Sequence, residues 1–141
     1  MDDTREKKNI IIGKLTEAYS NIPKRITRIN ENIELIRDRY AAVKAVSFEQ
    51  HTPSGKTMDE KLADMISKID LLEEEKEKLN LRKIQIFEEL RVCRLSDKEK
   101  IVLKAVFETR TYTEAGERIG YSKTEVYRTM EKIYRKMSNY I

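Results

Sequence analysis

The residue types that most often carry catalysis or bind metals are scarce in this chain. Its one histidine, His51, lies in a polar stretch, SFEQHTPSGK, with no nucleophile or metal-ligand spacing near it. Its one cysteine, Cys93, can form neither an intrachain disulfide nor a thiolate metal site, and we interpret it as a small buried hydrophobic residue. No glycine-rich phosphate loop, paired-cysteine motif or calcium loop is present. The sequence therefore predicts no catalytic residues, no metal and no cofactor, and it favours a non-enzymatic protein.

A different chemistry, polar recognition, is available near the carboxyl terminus. If this segment is helical, its apolar residues fall on one stripe, formed by Val126, Met130, Ile133 and Met137. The side chains left facing outward are then Lys123, Thr124, Tyr127, Arg128, Glu131, Lys132 and Arg135. This division is typical of a recognition helix. The alternative is that three small helices merely form a bundle and that the basic residues keep it soluble.

The charge distribution fits attraction to a polyanion. Residues 1–57 carry 11 basic and 8 acidic side chains, residues 58–92 carry 7 and 10, and residues 93–141 carry 11 and 7. The carboxyl-terminal third thus has a net charge of +4, although many protein surfaces carry as much. No apolar run approaches the roughly 20 residues that span a bilayer, and the first residues lack the features of a signal peptide. We therefore expect a cytoplasmic protein with no membrane partner.

Three short helices must position the outward-facing residues. Ser96 and Glu99 form a capping box that opens the first, which should end near Thr109 or Arg110. Its inward face is predicted to be Ile101, Val102, Ala105 and Val106, with Leu103 and Phe107 available to widen it. Thr113 is predicted to cap the second helix, which runs to Ile119.

Two glycines and a further cap define the link to the third helix. Gly116 lies inside the second helix and indicates close approach by another helix. Gly120 can adopt the left-handed conformation that ends a helix. Ser122 and Glu125 then form another capping box, so that two short helices meet across a three-residue turn.

The first two thirds of the chain contain two seams of apolar residues at alternating spacings of three and four, which is the pattern of packed helices. The first seam is Ile12, Leu15, Tyr19, Ile22, Ile26, Ile29, Ile33, Ile36, Tyr40 and Val43. The second is Met58, Leu62, Met65, Ile69, Leu72, Lys76, Leu79, Lys83, Ile86 and Leu90, with a Thr57–Glu60 capping box at its start. Helices from about Ile10 to Val46 and from Met58 to Val92, joined by a loop near 47–57, have matched lengths. They are predicted to form an antiparallel hairpin.

Pro23, which lies between two seam residues, and the two seam lysines depart from the simple apolar pattern. Pro23 lacks the N–H that an unbroken helix needs, so we expect a kink or a short break capped by Asn21. Lys76 and Lys83 occupy seam positions. There they either bury their stems and extend their ammonium groups to water, or they set the helix register or exclude a homodimer.

The carboxyl-terminal segment LSDKEKIVLKAVFETRTYTEAGERIGYSKTEVYRTMEKIYRKM resembles region 4 of sigma-70-type factors of bacterial RNA polymerase. The resemblance rests on the small residue at Gly116, the turn at Gly120 and the apolar Ile119 and Val126. As a hairpin followed by this segment, the whole chain also resembles ArpU-like late-gene transcription regulators of phages of Gram-positive hosts. The expected fold is all-α, with a coiled-coil-like antiparallel hairpin over residues 1–92 and a sigma region 4-like helix-turn-helix domain over 93–141.

The resemblance to sigma region 4 implies contacts with double-stranded DNA. The implied base-reading residues are Lys123, Thr124, Tyr127 and Arg128. The implied phosphate contacts are Thr113, Arg118, Ser122, Lys132, Arg135 and Lys136. The sequence departs from the sigma pattern at Tyr127, where a basic residue is usual, and at Thr129, where a large apolar residue is usual. The preferred bases therefore need not be those of a promoter −35 element, and the packing at Thr129 should be slightly looser.

These features together predict a sequence-specific transcription regulator, a late-gene activator that works with host RNA polymerase in the cytoplasm of the host cell. One such module contacts little DNA, so specific binding needs either a homodimer or the polymerase as partner. The rival interpretation is a protein-interaction module, in which the hairpin binds RNA polymerase or another phage or host protein and DNA is not read.

Overall fold

The computed structural model describes residues 2–47 and 57–140. Over these residues the chain is helical and has no strand, which confirms the predicted all-α class. Its elements are α1 (Asp2–Thr16), a π-helical segment (Glu17–Asn21), α2 (Ile22–Ser47), α3 (Met58–Arg91), α4 (Asp97–Glu108), α5 (Tyr112–Ile119) and α6 (Lys123–Ser138). Most of the predicted loop near 47–57, with His51, lies outside the described residues.

The described residues form two compact units. The first combines the chain up to Pro23 with the chain from Leu81 onward, and the second is the described part of Lys24–Asn80. The predicted boundary after Val92 does not coincide with either unit, because α1 packs against α6 and the π-helical segment packs against α4. The amino-terminal residues are thus part of the same core as the carboxyl-terminal helices.

In the second unit, an ion pair joins α2 to α3. The Arg25 guanidinium donates to one oxygen of Glu75 from Nε at 2.9 Å and from a terminal nitrogen at 2.6 Å. Ile29 and Ile33 are its fully buried apolar side chains among the described residues. The other seam residues of this unit are only half-buried, and Leu62 is exposed.

The start of α3 follows the sequence prediction. The Glu60 amide donates to the Thr57 hydroxyl at 3.1 Å, and the Thr57 amide donates to the Glu60 carboxylate at 3.4 Å, which confirms the capping box. Lys76 is half-buried, and its ammonium lies 3.9 Å from a Glu73 oxygen. This contact fits a lysine whose stem is covered while its charge stays near water.

In the first unit, the expected break before Pro23 is replaced by a π-helical turn. Thr16 and Ile22, on either side of this turn, both have right-handed helical backbone, and the Ile22 amide donates to the Glu17 carbonyl five residues earlier. The predicted cap at Asn21 is therefore wrong, because Asn21 lies inside the π-helical segment. A wider turn accommodates the interruption that proline makes in the usual ladder of hydrogen bonds.

In the first unit, the predicted seam residues Leu15 and Ile22 are buried, but the buried face differs from the seam at two neighbouring positions. Ile11 and Ala18 are fully buried, whereas the predicted seam residues Ile12 and Tyr19 are half-buried. The helix begins at Asp2, so the predicted start near Ile10 is also wrong. The additional amino-terminal turns bring Lys8 to α6.

Aromatic rings join three segments of the first unit. The Tyr19 ring meets the edge of Phe87 on α3, with centroids 5.2 Å apart, and lies 6.3 Å from the Phe107 ring on α4. Two ion pairs connect α1 and the π-helical segment to the end of α3: Lys14–Glu89 at 2.6 Å and Glu17–Arg82 at 3.0 Å. The segments therefore share both apolar and charged contacts.

The carboxyl-terminal helices begin and end almost where local sequence predicts. The Ser96–Glu99 capping box is present, and α4 ends with Thr109 as its cap. On the inward face of α4, Val102 and Ala105 are buried, but Ile101 is 52% exposed and was wrongly placed there. Leu103, which the sequence makes available to widen this face, is buried.

The cap of α5 is Thr111, two residues before the predicted Thr113. The Thr111 backbone is extended, and its hydroxyl accepts from the Glu114 amide at 3.1 Å. The Glu114 carboxylate accepts from the Arg110 amide at 3.2 Å. Thr113 lies inside the first turn of the helix, where its hydroxyl is not the cap.

Gly116 lets the turn after α5 approach the helix. A Cβ atom at this position would lie 2.3 Å from the Tyr121 carbonyl oxygen and 3.4 Å from a methyl group of Val126 on α6. The Gly116 carbonyl accepts from the amides of Gly120 and Tyr121, at 2.8 and 2.9 Å. Gly120 has the predicted left-handed backbone, with φ of 79°. The predicted close approach to Gly116 is therefore present. Both the backbone of the turn and the Val126 side chain of α6 lie close to this glycine.

Replacing Gly116 by alanine should lower the free energy of unfolding by roughly 1–3 kcal/mol, because a backbone carbonyl, and not a movable side chain, occupies the space. Gly13→Ala is the matched control, since a Cβ atom there meets nothing within 4 Å. That change should instead stabilise α1 by about 0.5–1 kcal/mol. Urea denaturation followed by circular dichroism measures both, and equal effects of the two substitutions would contradict the packing described here.

Candidate nucleic-acid interface

One face of α6 brings together the four residues that the sequence predicts to read bases. Lys123, Thr124, Tyr127 and Arg128 are all exposed. On the opposite stripe Val126, Met130, Ile133 and Met137 are fully buried, as predicted. Burial of this stripe fixes the rotation of α6 about its axis, so the exposed face can meet a ligand without rearrangement of the core.

The amino end of α6 is held by a cap and by α4. The Ser122 hydroxyl accepts from the Glu125 amide at 3.1 Å. The Glu125 carboxylate accepts from the Lys98 ammonium, and this hydrogen bond lowers the pKa of Glu125 and raises the pKa of Lys98. Lys98 also lies over the Tyr121 ring, 5.1 Å from its centroid. The predicted Ser122–Glu125 box is therefore present on the Ser122 side, while Glu125 ties α6 to α4.

A tyrosine cluster supports the exposed Tyr127 ring. The rings of Tyr112 and Tyr127 have centroids 6.2 Å apart. Burial raises the pKa of both the Tyr112 and the Tyr134 hydroxyl. Tyr134 in turn lies beneath the Lys8 ammonium, 5.0 Å from its ring centroid. Tyr127 is thus an exposed aromatic side chain with a fixed neighbour.

The residues predicted to contact phosphate differ in their surroundings. Lys132 and Arg135 are exposed and have no ion pair within residues 2–47 and 57–140. Arg118 lies 3.3 Å from a Glu108 oxygen on α4. Thr113 is exposed on the first turn of α5, and Ser122 is exposed although its hydroxyl serves as a cap. Lys132 and Arg135 therefore have the most accessible charge of this group.

Lys136, the last of the predicted phosphate contacts, already has a partner. Its ammonium donates to the carboxylate of Glu99, whose side chain is buried at the start of α4. Burial disfavours the charged form of Glu99, but hydrogen bonds from Lys136 and Ser96 outweigh it and hold the pKa below its ordinary value of 4.5. The pair connects the start of α4 to the end of α6.

Two residues of this interface were not found from the sequence. Tyr112 supports Tyr127, and its position would have followed from the Thr-x-x-Glu pattern of Thr111 and Glu114, which marks the true start of α5. Lys98 holds Glu125 across 27 residues of chain. No local spacing predicts that contact.

Neither a candidate metal site nor a candidate membrane span is found in the part of the chain that the structure describes. There, no three His, Cys, Asp or Glu side chains are grouped to hold a metal ion. No described helix has the length and apolar character needed to cross a membrane. Comparison with protein-family models, curated proteins and solved structures gives no match to this chain.

Replacing Glu99 by glutamine should lower the free energy of unfolding by roughly 1–2 kcal/mol at pH 7, because a charge-assisted hydrogen bond is lost. The folded pKa lies below 4.5, so the contribution of the carboxylate is complete above pH 4.5 and is lost as the pH falls through the folded value. The difference between native protein and Glu99→Gln should therefore shrink in acid. Urea titrations from pH 7 to pH 3 measure it.

Glu89→Gln provides the control, because it removes the same charge from a solvent-exposed pair with Lys14. This change should have little effect on stability at pH 7. A deficit in Glu99→Gln that stays constant down to pH 3 would show that the carboxylate charge contributes nothing to the link between α4 and α6.

Proposed function

We propose that this protein is a sequence-specific, non-enzymatic DNA-binding transcription regulator in which α5 and α6 act as a helix-turn-helix. The observation that carries the proposal is the exposed face of α6, where Lys123, Thr124, Tyr127 and Arg128 lie together opposite a fully buried stripe. An α-helix fits the major groove, and polar side chains near its amino end reach base edges there. The left-handed turn at Gly120 and the close packing of backbone against Gly116 support the assignment of this motif.

Each proposed base reader has a chemical role. Lys123 and Arg128 donate to guanine O6 and N7, Thr124 bonds a base or contacts the thymine methyl, and Tyr127 packs its ring edge against a thymine methyl. Lys132 and Arg135 pair with phosphates farther along the helix, since no described carboxylate pairs with them. Arg118 and Ser122 flank the turn, Thr113 lies on the first turn of α5, and all three complete the proposed backbone contacts. Lys136 contributes only if it leaves Glu99.

The rest of the chain is proposed to serve as an antiparallel helical hairpin. Lys14–Glu89 and Glu17–Arg82 support this arrangement in the first unit, because the partner residue moves backward along α3 as the chain moves forward along the amino-terminal helix. The Arg25–Glu75 pair supports contact between α2 and α3 in the second unit. A single module of this size contacts little DNA, so we propose that a second copy or bacterial RNA polymerase supplies the remaining affinity. We propose that the hairpin and the helix-turn-helix together form a late-gene activator, encoded by a phage and acting in the host cytoplasm.

The second candidate function is protein interaction without DNA reading. Leu62 and Ile66, both on α3 of the second unit, favour it because they expose 36% and 48% of their surface. Exposed apolar residues on a helix are suited to contact with another protein. The two candidates differ in whether α6 responds to duplex DNA.

A salt-dependent titration with duplex DNA separates the two functions. For native protein on a duplex from its own regulatory region, affinity should fall steeply with salt. Arg128→Ala should reduce discrimination against unrelated sequences by roughly 1–3 kcal/mol. Lys132→Ala should weaken binding to all sequences alike and reduce the salt slope by about one unit.

Lys68→Ala is the matched control, because Lys68 is an exposed lysine of α3 in the second unit. This variant should bind DNA as native protein does. Native protein without salt-dependent affinity for any duplex, but with retained circular dichroism, would overturn the DNA-binding proposal and favour protein interaction.

The role of Tyr127 is tested by replacing thymine with uracil in the bound sequence. Loss of one buried methyl group should weaken native binding by about 0.8 kcal/mol, or about fourfold, if the tyrosine ring covers it. Tyr127→Ala should bind both duplexes with the same affinity. A uracil effect of equal size in both proteins would assign the methyl contact to another residue, with Thr124→Ser as the next variant to measure.

A further inference from the structure

A cavity of about 350 Å³ lies within the first unit, away from the exposed face of α6. Its apolar walls come from four separate segments. Tyr19 belongs to the π-helical segment, Phe87 and Leu90 to α3, Leu103 to α4, and Met137 to the buried stripe of α6. Sites of this size and apolar character are typical of small-molecule binding.

The cavity also has a basic rim. Arg91, Arg94 and Lys100 line it, with Glu88 as the one acidic lining residue. All three cations are exposed, and none of them has an ion pair within the residues that the structure describes. Apolar walls beside unpaired guanidinium and ammonium groups are complementary to a molecule with an apolar body and an anionic head.

Arg94 is held at this rim by an uncommon backbone conformation. With φ of 51°, it is the non-glycine residue with positive φ among the described residues. Its amide donates to the Arg91 carbonyl at 3.1 Å, which ends α3. Glycine would adopt this conformation without strain, so the arginine side chain is retained at a backbone cost. Residues in such conformations cluster at ligand sites.

We propose that this cavity binds an amphipathic carboxylate of the medium-chain fatty acid class. The alkyl chain lies among Tyr19, Phe87 and Met137, and the carboxylate pairs with Arg94 and with Arg91 or Lys100. Because the walls come from segments far apart in sequence, such a ligand binds the folded unit and stabilises it by mass action. The proposal does not depend on DNA binding.

The direct test titrates the full chain with decanoate below its micelle concentration, using isothermal calorimetry. Decanol, which has the same alkyl chain without the charge, is the ligand control. Native protein should bind one decanoate at least tenfold more tightly than decanol and should melt at a higher temperature in its presence. Arg94→Gly should lower decanoate affinity severalfold without loss of folding, because glycine relieves the positive φ while removing the guanidinium.

A fluorescent reporter places the ligand, since the chain has no tryptophan of its own. Ile84 lines the cavity and is 56% exposed, so Ile84→Trp puts an indole at its mouth. Leu71→Trp, at a 66% exposed position of the second unit, is the control. Decanoate should shift the emission of the first variant and leave the second unchanged.

Any of four results would overturn the proposal, and three of them are comparisons. They are equal affinities for decanoate and decanol, native decanoate affinity in folded Arg94→Gly, and equal emission changes in both tryptophan variants. Absence of decanoate binding to native protein whose circular dichroism is intact would overturn it as well.

Discussion

The rest of the carboxyl-terminal structure depends on the close approach at Gly116. With the Tyr121 carbonyl 2.3 Å from where a Cβ atom would lie, only glycine allows the turn to pack against α5. The same contact brings Val126 onto α5 and so begins the burial of the α6 stripe. Once that stripe is buried, the residues on the other side of α6, among them Lys123, Tyr127 and Arg128, face solvent. The exposure of the candidate face is thus linked to backbone packing at one position.

Ion pairs with α4 and α1 also hold α6 in place, and they leave four of its cations without an ion pair among the described residues. Lys98–Glu125 holds the start of α6, Lys8–Glu131 its middle and Glu99–Lys136 its end. These pairs come from α4 and α1, so both neighbours orient the helix. The cations of α6 without an ion pair among the described residues are Lys123, Arg128, Lys132 and Arg135. Among the basic residues of this helix, Lys136 therefore forms a structural ion pair and the other four form none with the described residues.

Local patterns predicted the parts of the fold that local physics determines. The caps at Thr57 and Ser96, the stop at Gly120 and the buried stripe of α6 follow from hydrogen bonds and periodicity within a few residues. The errors arose where local alternatives compete: Thr111 and Thr113 are both plausible caps, and a π-helical turn rather than a break accommodates Pro23. Contacts between distant segments, such as the packing of α1 on α6, have no local pattern. The exposure of the candidate site was predictable from the sequence, and the Thr-x-x-Glu pattern marks the position of Tyr112, but no local pattern predicts the contact of Lys98 with Glu125.

The central claim, that the exposed face of α6 meets duplex DNA, is tested most directly by NMR. Backbone amide shifts of the full chain would be followed during addition of a duplex from its regulatory region at two salt concentrations. The account predicts that shifts concentrate between Ser122 and Arg135 and at the start of α5, and that higher salt reduces them. Shifts confined to residues outside α5 and α6, or no shifts at low salt, would contradict it.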